Sequence, residues 1–254
     1  MSAAERQCFR PPTGRGVIAY HLAVRILLAS KSVVVGLAPA VIAAALTFTA
    51  AVLPSGVPGA PPRAAAANCP QVQVVFARGR QESPGPGVLG NAFINALSSK
   101  VGGRSFGSYA VRYPADNQVD IGANDMSQHV QYMINNCPDT RLVLGGYSLG
   151  AAVTDVVLAV PISAFGFDNP LPEGADQHIA AVALFGNGSQ WAGPITNFNP
   201  IYNDRTIELC HGADPVCNPA DPNTWKENWP QHLASAYIQA GMANQAADFV
   251  AGKL

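Results

Sequence analysis

The sequence is short of positive charge once its first 68 residues are set aside. After Asn68 there are nine Lys and Arg residues against fifteen Asp and Glu residues, whereas the first 68 residues carry six basic residues and one acid. Nucleic-acid binding needs clustered Lys and Arg side chains that contact phosphates. A body this acidic therefore argues against DNA or RNA as a partner.

Metal-binding patterns and repeats are also missing. No two cysteines have C-x-x-C spacing, and His129 and His178 do not fall at the spacings of a zinc site. The sequence after residue 67 contains no repeat, coiled coil or low-complexity linker. The remaining length is that of one ordinary domain with a full core. These features predict a single domain and give no indication of a metal site.

The basic N-terminal part has the pattern of an export signal. Residues 32–53 carry no charge and are followed by a Pro/Gly-rich stretch and a run of four alanines that ends at Ala67. A basic region, an apolar core and a small-residue site predict secretory cleavage near Ala67. Residues 1–67 would then be a signal and Pro/Ala-rich processing segment, and residues 68–254 the domain. Because the apolar run is about as long as a membrane span, an uncleaved anchor is the alternative.

Four of the five cysteines follow the predicted cleavage site. In an exported protein an even count predicts two disulfides. Three pairings are possible, and local closure of the last two cysteines is the easiest of them. The four residues are Cys69, Cys137, Cys210 and Cys217.

Strand-like and helix-like patterns alternate through the rest of the chain. Apolar runs rich in β-branched residues predict strands at 71–77, 108–113, 142–145, 178–185 and 205–209. Helical periodicity predicts helices at 88–100, 120–136, 151–160 and 232–253. Alternating strands and helices imply a parallel sheet with helices on both faces. The expected fold is a small α/β domain with five strands.

A serine stands between glycines at the end of the third predicted strand. The stretch Gly146-Tyr147-Ser148-Leu149-Gly150 matches G-x-S-x-G, in which a sharp turn from strand to helix exposes the serine hydroxyl. Glycines two positions before and after the serine leave room for that turn. Gly and Ser also occur together in ordinary turns, so the motif needs partners before it predicts a nucleophile.

Two candidate partners follow Ser148 in chain order. Asp214 lies just after the fifth predicted strand, and His232 follows the segment 218–231, which we expect to be irregular, at the start of the last predicted helix. Reactive residues of such sheets gather at the carboxyl ends of the strands. The order Ser, Asp, His is that of the α/β-hydrolases. His232 would accept the proton of Ser148, and Asp214 would orient the imidazole.

Four stretches together resemble the cutinase family, and most closely its actinobacterial, mycobacterial-type serine esterases. They are VVFARG, GGYSLGAAV, CHGADPVC and HLASAYIQAGMANQAADFVAGKL, and the resemblance covers residues 69–254. It implies a small α/β-hydrolase with a five-stranded parallel sheet, helices on both faces and no large lid. It also implies the triad Ser148, His232 and Asp214 and the disulfides Cys69–Cys137 and Cys210–Cys217.

The resemblance further implies an oxyanion hole made by the backbone N–H groups of Arg80 and Leu149. Fungal cutinases carry Ser and Gln at these two positions, so an assisting hydroxyl is missing here. Trp225 and Trp229 lie in the segment before His232. Their rings would either line an acyl groove or anchor an irregular loop, and the sequence leaves both interpretations open.

The resulting hypothesis is a secreted or cell-wall-associated serine esterase, acting without metal or cofactor and as a monomer. It would hydrolyse carboxylic esters of lipids or polyesters through an acyl-enzyme. One alternative is an acetyl-polysaccharide esterase of the acetylxylan type. Another is an exported cell-surface protein whose triad is vestigial, and a third is a protein tethered by residues 32–53. The presence of all three triad residues favours an enzyme.

Overall fold

A computed structural model describes residues 69–189, 193–218 and 222–254. The predicted signal or anchor in residues 1–67 lies outside these ranges. Within them, no helix is long and apolar enough to cross a membrane.

The centre of the domain is a sheet of five parallel strands in the order β2-β1-β3-β4-β5. β3 and β4 are buried along almost their whole length because helices cover both faces of the sheet. This confirms the predicted sheet. The strands are β1 (Val72–Ala77), β2 (Phe106–Ala110), β3 (Arg141–Tyr147), β4 (Ile179–Phe185) and β5 (Thr206–Leu209).

The second strand ends earlier than the pattern predicts. Residues 111–113 were expected in the sheet, but β2 stops at Ala110. The carbonyl groups of Val111 and Tyr113 instead accept hydrogen bonds from the guanidinium of Arg78, at 3.4 and 2.6 Å. A buried arginine therefore takes the acceptors that a longer strand would have offered to its neighbour.

Helices α2 and α3 pack on one face of the sheet, and α1 and α7 pack on the other. Each face has its own apolar cluster, so the sheet is the middle layer of three. The helices are α1 (Gly87–Ser98), α2 (Val119–Asn136), α3 (Leu149–Ala159), α4 (Ile195–Phe198), α5 (Trp225–His232), α6 (Ala234–Gln239) and α7 (Met242–Ala251).

The prediction of one last helix that begins at His232 is wrong. His232 is the final residue of α5, which occupies part of the segment expected to be irregular. Leu233 is extended (φ −65°, ψ 140°) and separates α5 from α6. Gly241 has φ 74°, a left-handed conformation suited to glycine, and separates α6 from α7. These breaks leave His232 at the end of α5 and put the residues that follow on a separate helix, α6.

One buried acid sits under the sheet without full pairing. Asp155 on α3 is 8% exposed, and its Oδ2 accepts a hydrogen bond from Asn187 Nδ2 at 2.8 Å. Its other oxygen, Oδ1, has no partner among the residues that the structure describes. Burial raises the pKa of Asp155 to about 7, although the hydrogen bond from Asn187 acts against the rise, and the nearby Glu208 adds to it.

The ionisation of Asp155 should therefore lower the free energy of unfolding as the pH increases. A carboxyl whose pKa is higher in the folded state than in the unfolded state favours folding less and less as pH rises from about 4 to about 7. Asp155→Asn, which stays neutral, should be more stable than the wild type at pH ~8 by about 3 kcal/mol and nearly equal to it at pH ~4. Urea unfolding at both pH values measures this. If Asp155→Asn were less stable than the wild type by the same amount at both pH values, the raised pKa assigned to Asp155 would be contradicted.

Candidate active site

Ser148 occupies a sharp turn between β3 and α3. Its backbone has φ 55° and ψ −118°, which is unusual for a residue other than glycine, and its N–H donates to Phe185 O at 2.8 Å. A Cβ on Gly146 would lie 2.1 Å from the carbonyl oxygen of Gly150, and one on Gly150 would lie 2.0 Å from that of Ala77. This confirms the predicted reason for both glycines, because no larger residue fits at either position.

The structure brings Ser148, His232 and Asp214 into one hydrogen-bonded chain. His232 Nε2 lies 2.8 Å from Ser148 Oγ, and His232 Nδ1 lies 2.7 Å from Asp214 Oδ2. His232 is 3% exposed and Asp214 is fully buried. The hydroxyl of Tyr147 donates to the backbone carbonyl of His232, which fixes the end of α5 over β3. A base and its orienting acid are thus held against the serine hydroxyl.

Asp214 is charged because its hydrogen bonds outweigh its burial. Burial alone would raise its pKa, but hydrogen bonds from His232, Tyr237 and the backbone N–H of Val216 hold the pKa below its usual value. A charged carboxylate only accepts hydrogen bonds, so His232 Nδ1 must be the donor in their contact. The free lone pair of the neutral ring is then on Nε2, facing Ser148.

Gly186, directly after β4, is required beside this carboxylate. Its φ is 55°, and a Cβ there would lie 2.9 Å from Tyr237 Oη, 3.1 Å from His232 Cε1 and 3.2 Å from Asp214 Oδ2. The absent side chain leaves room for the base and the acid to meet. Its position at a strand end is a signal that the sequence offered and that the prediction of site residues overlooked.

Both predicted disulfides are formed in the structure. Cys210–Cys217 closes the loop after β5 that carries Asp214. Cys69–Cys137 joins the chain before β1 to the end of α2. The short bridge restrains the segment that presents the acid, and the long bridge restrains the opposite end of the sheet.

Two backbone N–H groups border Ser148 as candidate oxyanion donors. Leu149 is the first residue of α3, where an N–H group has no acceptor within its own helix. Along the described chain, no acceptor occurs for the N–H of Arg80, although the neighbouring Gln81 N–H donates to Ala115 O at 2.7 Å. Arg80, Ser148 and Leu149 line the same cleft.

The loop that carries Arg80 is braced by a carboxylate and a buried guanidinium. Glu82 accepts hydrogen bonds from the N–H groups of Gly79 (2.6 Å) and Val88 (2.7 Å). Arg78, 4% exposed, donates through Nε to Glu82 O at 2.8 Å. Arg78 and Glu82 follow β1 in the chain, and nothing in the local sequence predicts these contacts. Their bracing roles depend on partners up to 35 residues away, such as Tyr113.

The cleft above Ser148 has a volume of about 540 Å³ and a largely apolar wall. Trp225 and Trp229 lie on α5, each 42% exposed, with ring centroids 6.1 Å apart. Trp229 also packs against the ring of His232, at 5.0 Å between centroids. Leu233, 45% exposed, continues the same wall. Both tryptophans therefore lie on a helix and not in an irregular loop, and both line this cleft.

The chain belongs to the cutinase family, whose profile matches residues 68–254. It is 68% identical over 228 residues to the probable carboxylesterase Culp2 of Mycobacterium tuberculosis, an alignment that covers 90% of this chain and 98% of that relative. The family and the α/β-hydrolase-like fold inferred from the sequence are thereby confirmed.

Two solved structures share the fold. A Trichoderma reesei cutinase in complex with a phosphonate inhibitor is 31% identical, with a TM-score of 0.55, covering 72% of this chain and 76% of that one. The catalytic core domain of an acetyl xylan esterase from Trichoderma reesei is 25% identical, with a TM-score of 0.57, covering 73% of this chain and 100% of that one.

Proposed function

We propose that this protein is a serine carboxylic ester hydrolase in which Ser148 is the nucleophile, His232 the general base and Asp214 its orienting acid. The observation that carries the proposal is the continuous hydrogen-bonded chain from Ser148 Oγ through the imidazole to a buried, charged carboxylate. A serine hydroxyl is a weak nucleophile at neutral pH unless an adjacent base accepts its proton. In this hydrogen-bonded arrangement His232 is that base, and its contact with Asp214 selects the tautomer whose Nε2 lone pair faces Ser148.

Hydrolysis would proceed in two halves. Ser148 Oγ attacks the ester carbonyl carbon while its proton passes to His232 Nε2, and the resulting oxyanion accepts hydrogen bonds from the N–H groups of Arg80 and Leu149. The bond to the alcohol oxygen then breaks as His232 returns the proton to that oxygen. Water then attacks the acyl carbon while His232 Nε2 takes its proton. The bond from that carbon to Ser148 Oγ breaks as His232 returns the proton to Oγ, which releases the carboxylic acid and restores the free serine. No step requires a metal or a cofactor.

We infer that the acyl chain lies along the wall formed by Trp225, Trp229 and Leu233. These side chains keep a large exposed apolar area beside the nucleophile, and contact with an acyl chain would bury it. An ester of a lipid or polyester supplies such a chain. The likeness to an acetyl xylan esterase supports a second candidate, an acetyl ester of a polysaccharide, which would leave this wall unused.

A series of p-nitrophenyl esters from acetate to stearate tests the substrate class. If the wall binds the acyl chain, kcat/KM should increase from acetate to medium-length chains, and Trp229→Ala should lower it by about tenfold for the longer esters while leaving acetate nearly unchanged. A tenfold loss in kcat/KM corresponds to about 50 Å² of apolar surface that the acyl chain no longer buries. Tyr132→Ala, which removes an exposed aromatic ring on α2, is the matched control. A preference for acetate that Trp229→Ala does not alter would favour the acetyl-esterase alternative.

We also propose that residues 1–67 direct export and are removed, so that the active form is a secreted or cell-wall-associated monomer beginning near Asn68. The composition of those residues and the two disulfides of the domain support this. The N-terminal sequence of the protein recovered outside the producing cell distinguishes cleavage from retention of an anchor.

A further inference from the structure

Tyr237 on α6 is the most deeply buried polar ring beside the candidate triad. It is fully buried, and its hydroxyl donates to Asp214 Oδ2 at 2.5 Å. The same carboxylate oxygen accepts the Nδ1–H of His232 at 2.7 Å. The negative charge on Asp214 Oδ2 is therefore stabilised by two hydrogen bonds, one from the phenol and one from the imidazole.

Two further contacts hold the phenol oxygen of Tyr237, and two aromatic rings hold its ring. The backbone N–H of His211 donates to it at 3.2 Å, and Cys217 Sγ of the short disulfide lies 3.3 Å away. The ring packs edge-on against Tyr147 and Phe185, with centroids 5.9 and 6.5 Å apart. One hydroxyl thus connects α6, the end of β5 and the acid loop.

The proton of this contact belongs to the tyrosine. Burial and the hydrogen bond to Asp214 raise the pKa of Tyr237 far above its usual value, while the pKa of Asp214 is lowered. Four other ionisable groups face the contact between Tyr237 and Asp214. They are His211 after β5, His232 from α5, Tyr147 from β3 and, beyond Tyr147, Glu82. A neutral phenol donating to a charged carboxylate withdraws charge from the oxygen that the imidazole contacts.

We infer that Tyr237 is a positioning residue for ester hydrolysis, which holds the Asp214 carboxylate toward His232 and limits how strongly that carboxylate stabilises the imidazolium. This rests on the proposed function of the triad. Without the phenol hydrogen bond, Asp214 Oδ2 would carry more charge and bind protonated His232 more tightly. The neutral base would then form only at higher pH, and the carboxylate would be less well oriented.

The test is the pH dependence of kcat/KM for p-nitrophenyl butyrate in Tyr237→Phe. We expect a plateau about tenfold lower and an inflection moved upward by about half a pH unit or more. In the Asp214→Asn background the same change should cause no further loss, because the two groups act through one contact. Tyr202→Phe, a buried tyrosine of the opposite cluster, is the matched control and should leave both quantities unchanged.

Two measurements keep the inference testable if Tyr237→Phe folds poorly or the protein hydrolyses no esters. Replacing Tyr237 with 3-fluorotyrosine preserves the shape and strengthens the donor, so the inflection should move downward. The low-field proton resonance of the His232 Nδ1–H···Asp214 hydrogen bond should shift in the Tyr237 variants and stay unchanged in Tyr202→Phe, whatever the activity. An unmoved inflection and an unmoved resonance, or an equal loss with and without Asp214, would overturn the inference. Absence of hydrolysis in the wild type would instead count against the proposed function.

Discussion

Ser148→Ala should abolish ester hydrolysis, lowering kcat/KM by at least about 10⁴-fold. In the proposed mechanism the hydroxyl oxygen forms the acyl-enzyme, and without it the nearby imidazole could activate only water. What remains would come from binding and the oxyanion donors. The variant should fold normally, since alanine fits where serine does and, within the described residues, the one hydrogen bond of Ser148 Oγ is to His232.

Steady-state kinetics on a medium-chain p-nitrophenyl ester, with thermal unfolding as a check on folding, measures this effect. Ser99→Ala, which changes an exposed serine after α1, is the matched control and should retain full activity. A folded Ser148→Ala protein that hydrolyses the ester at the wild-type rate would show that another residue carries the chemistry.

The second large effect is expected at the acid and base. Asp214→Asn should lower kcat/KM by about 10⁴-fold, because an amide in that position favours the wrong tautomer of His232 and no longer stabilises its charged form. In the wild type, kcat/KM should rise with pH through one ionisation and reach a plateau on the alkaline side. His232→Gln should remove that ionisation from the slow activity that remains.

Activity is expected to rise, and not fall, with pH because of the two groups that contact the ring nitrogens of His232, which are Asp214 and Ser148. Asp214 has a pKa below its usual value, so it is already charged at the acid end of the profile and cannot be the group whose ionisation activates the enzyme. The imidazole must lose a proton before it can accept one from Ser148, so activity rises with pH. The alkaline plateau is expected because the pKa of Tyr147 and that of Tyr237 both lie above their usual values.

A His232→Gln profile that keeps the wild-type inflection would transfer the role of base to another group. His211 would be the first candidate, because it lies in the same disulfide loop and its ring is 5.7 Å from that of Tyr237. The double variant His211→Gln, His232→Gln would then decide between them.

The features that could be predicted from sequence are those set by local pattern. The five apolar runs predict the sheet because both faces of a parallel sheet are buried, so strands have continuous hydrophobic sequences. Ser148 could be singled out because its turn demands glycines at two fixed positions. Asp214 could be placed near it because a short disulfide loop follows a strand whose end must lie at the same edge.

The features that were missed depend on contacts between distant segments. The periodicity of residues 232–253 is helical throughout, so the breaks at Leu233 and Gly241 are visible only in the packed structure. The hydroxyl of Tyr237 reaches a carboxylate 23 residues earlier in the chain. Asp155 lies on α3, and the sequence pattern of that helix gives no sign that this acid is buried. Strand β2 is shortened because Arg78 binds carbonyl groups more than 30 residues away.

The most direct test of the central claim is the stoichiometry and position of covalent labelling by a p-nitrophenyl alkylphosphonate. This reagent places a phosphonyl group on an activated serine, and a related cutinase has been solved in complex with a phosphonate inhibitor. Mass spectrometry should find one phosphonyl group per folded chain, on the peptide that contains Ser148, with label formation increasing with pH as hydrolysis does. A folded protein that takes up no label, or takes it up on a serine other than Ser148, would contradict the proposed active site.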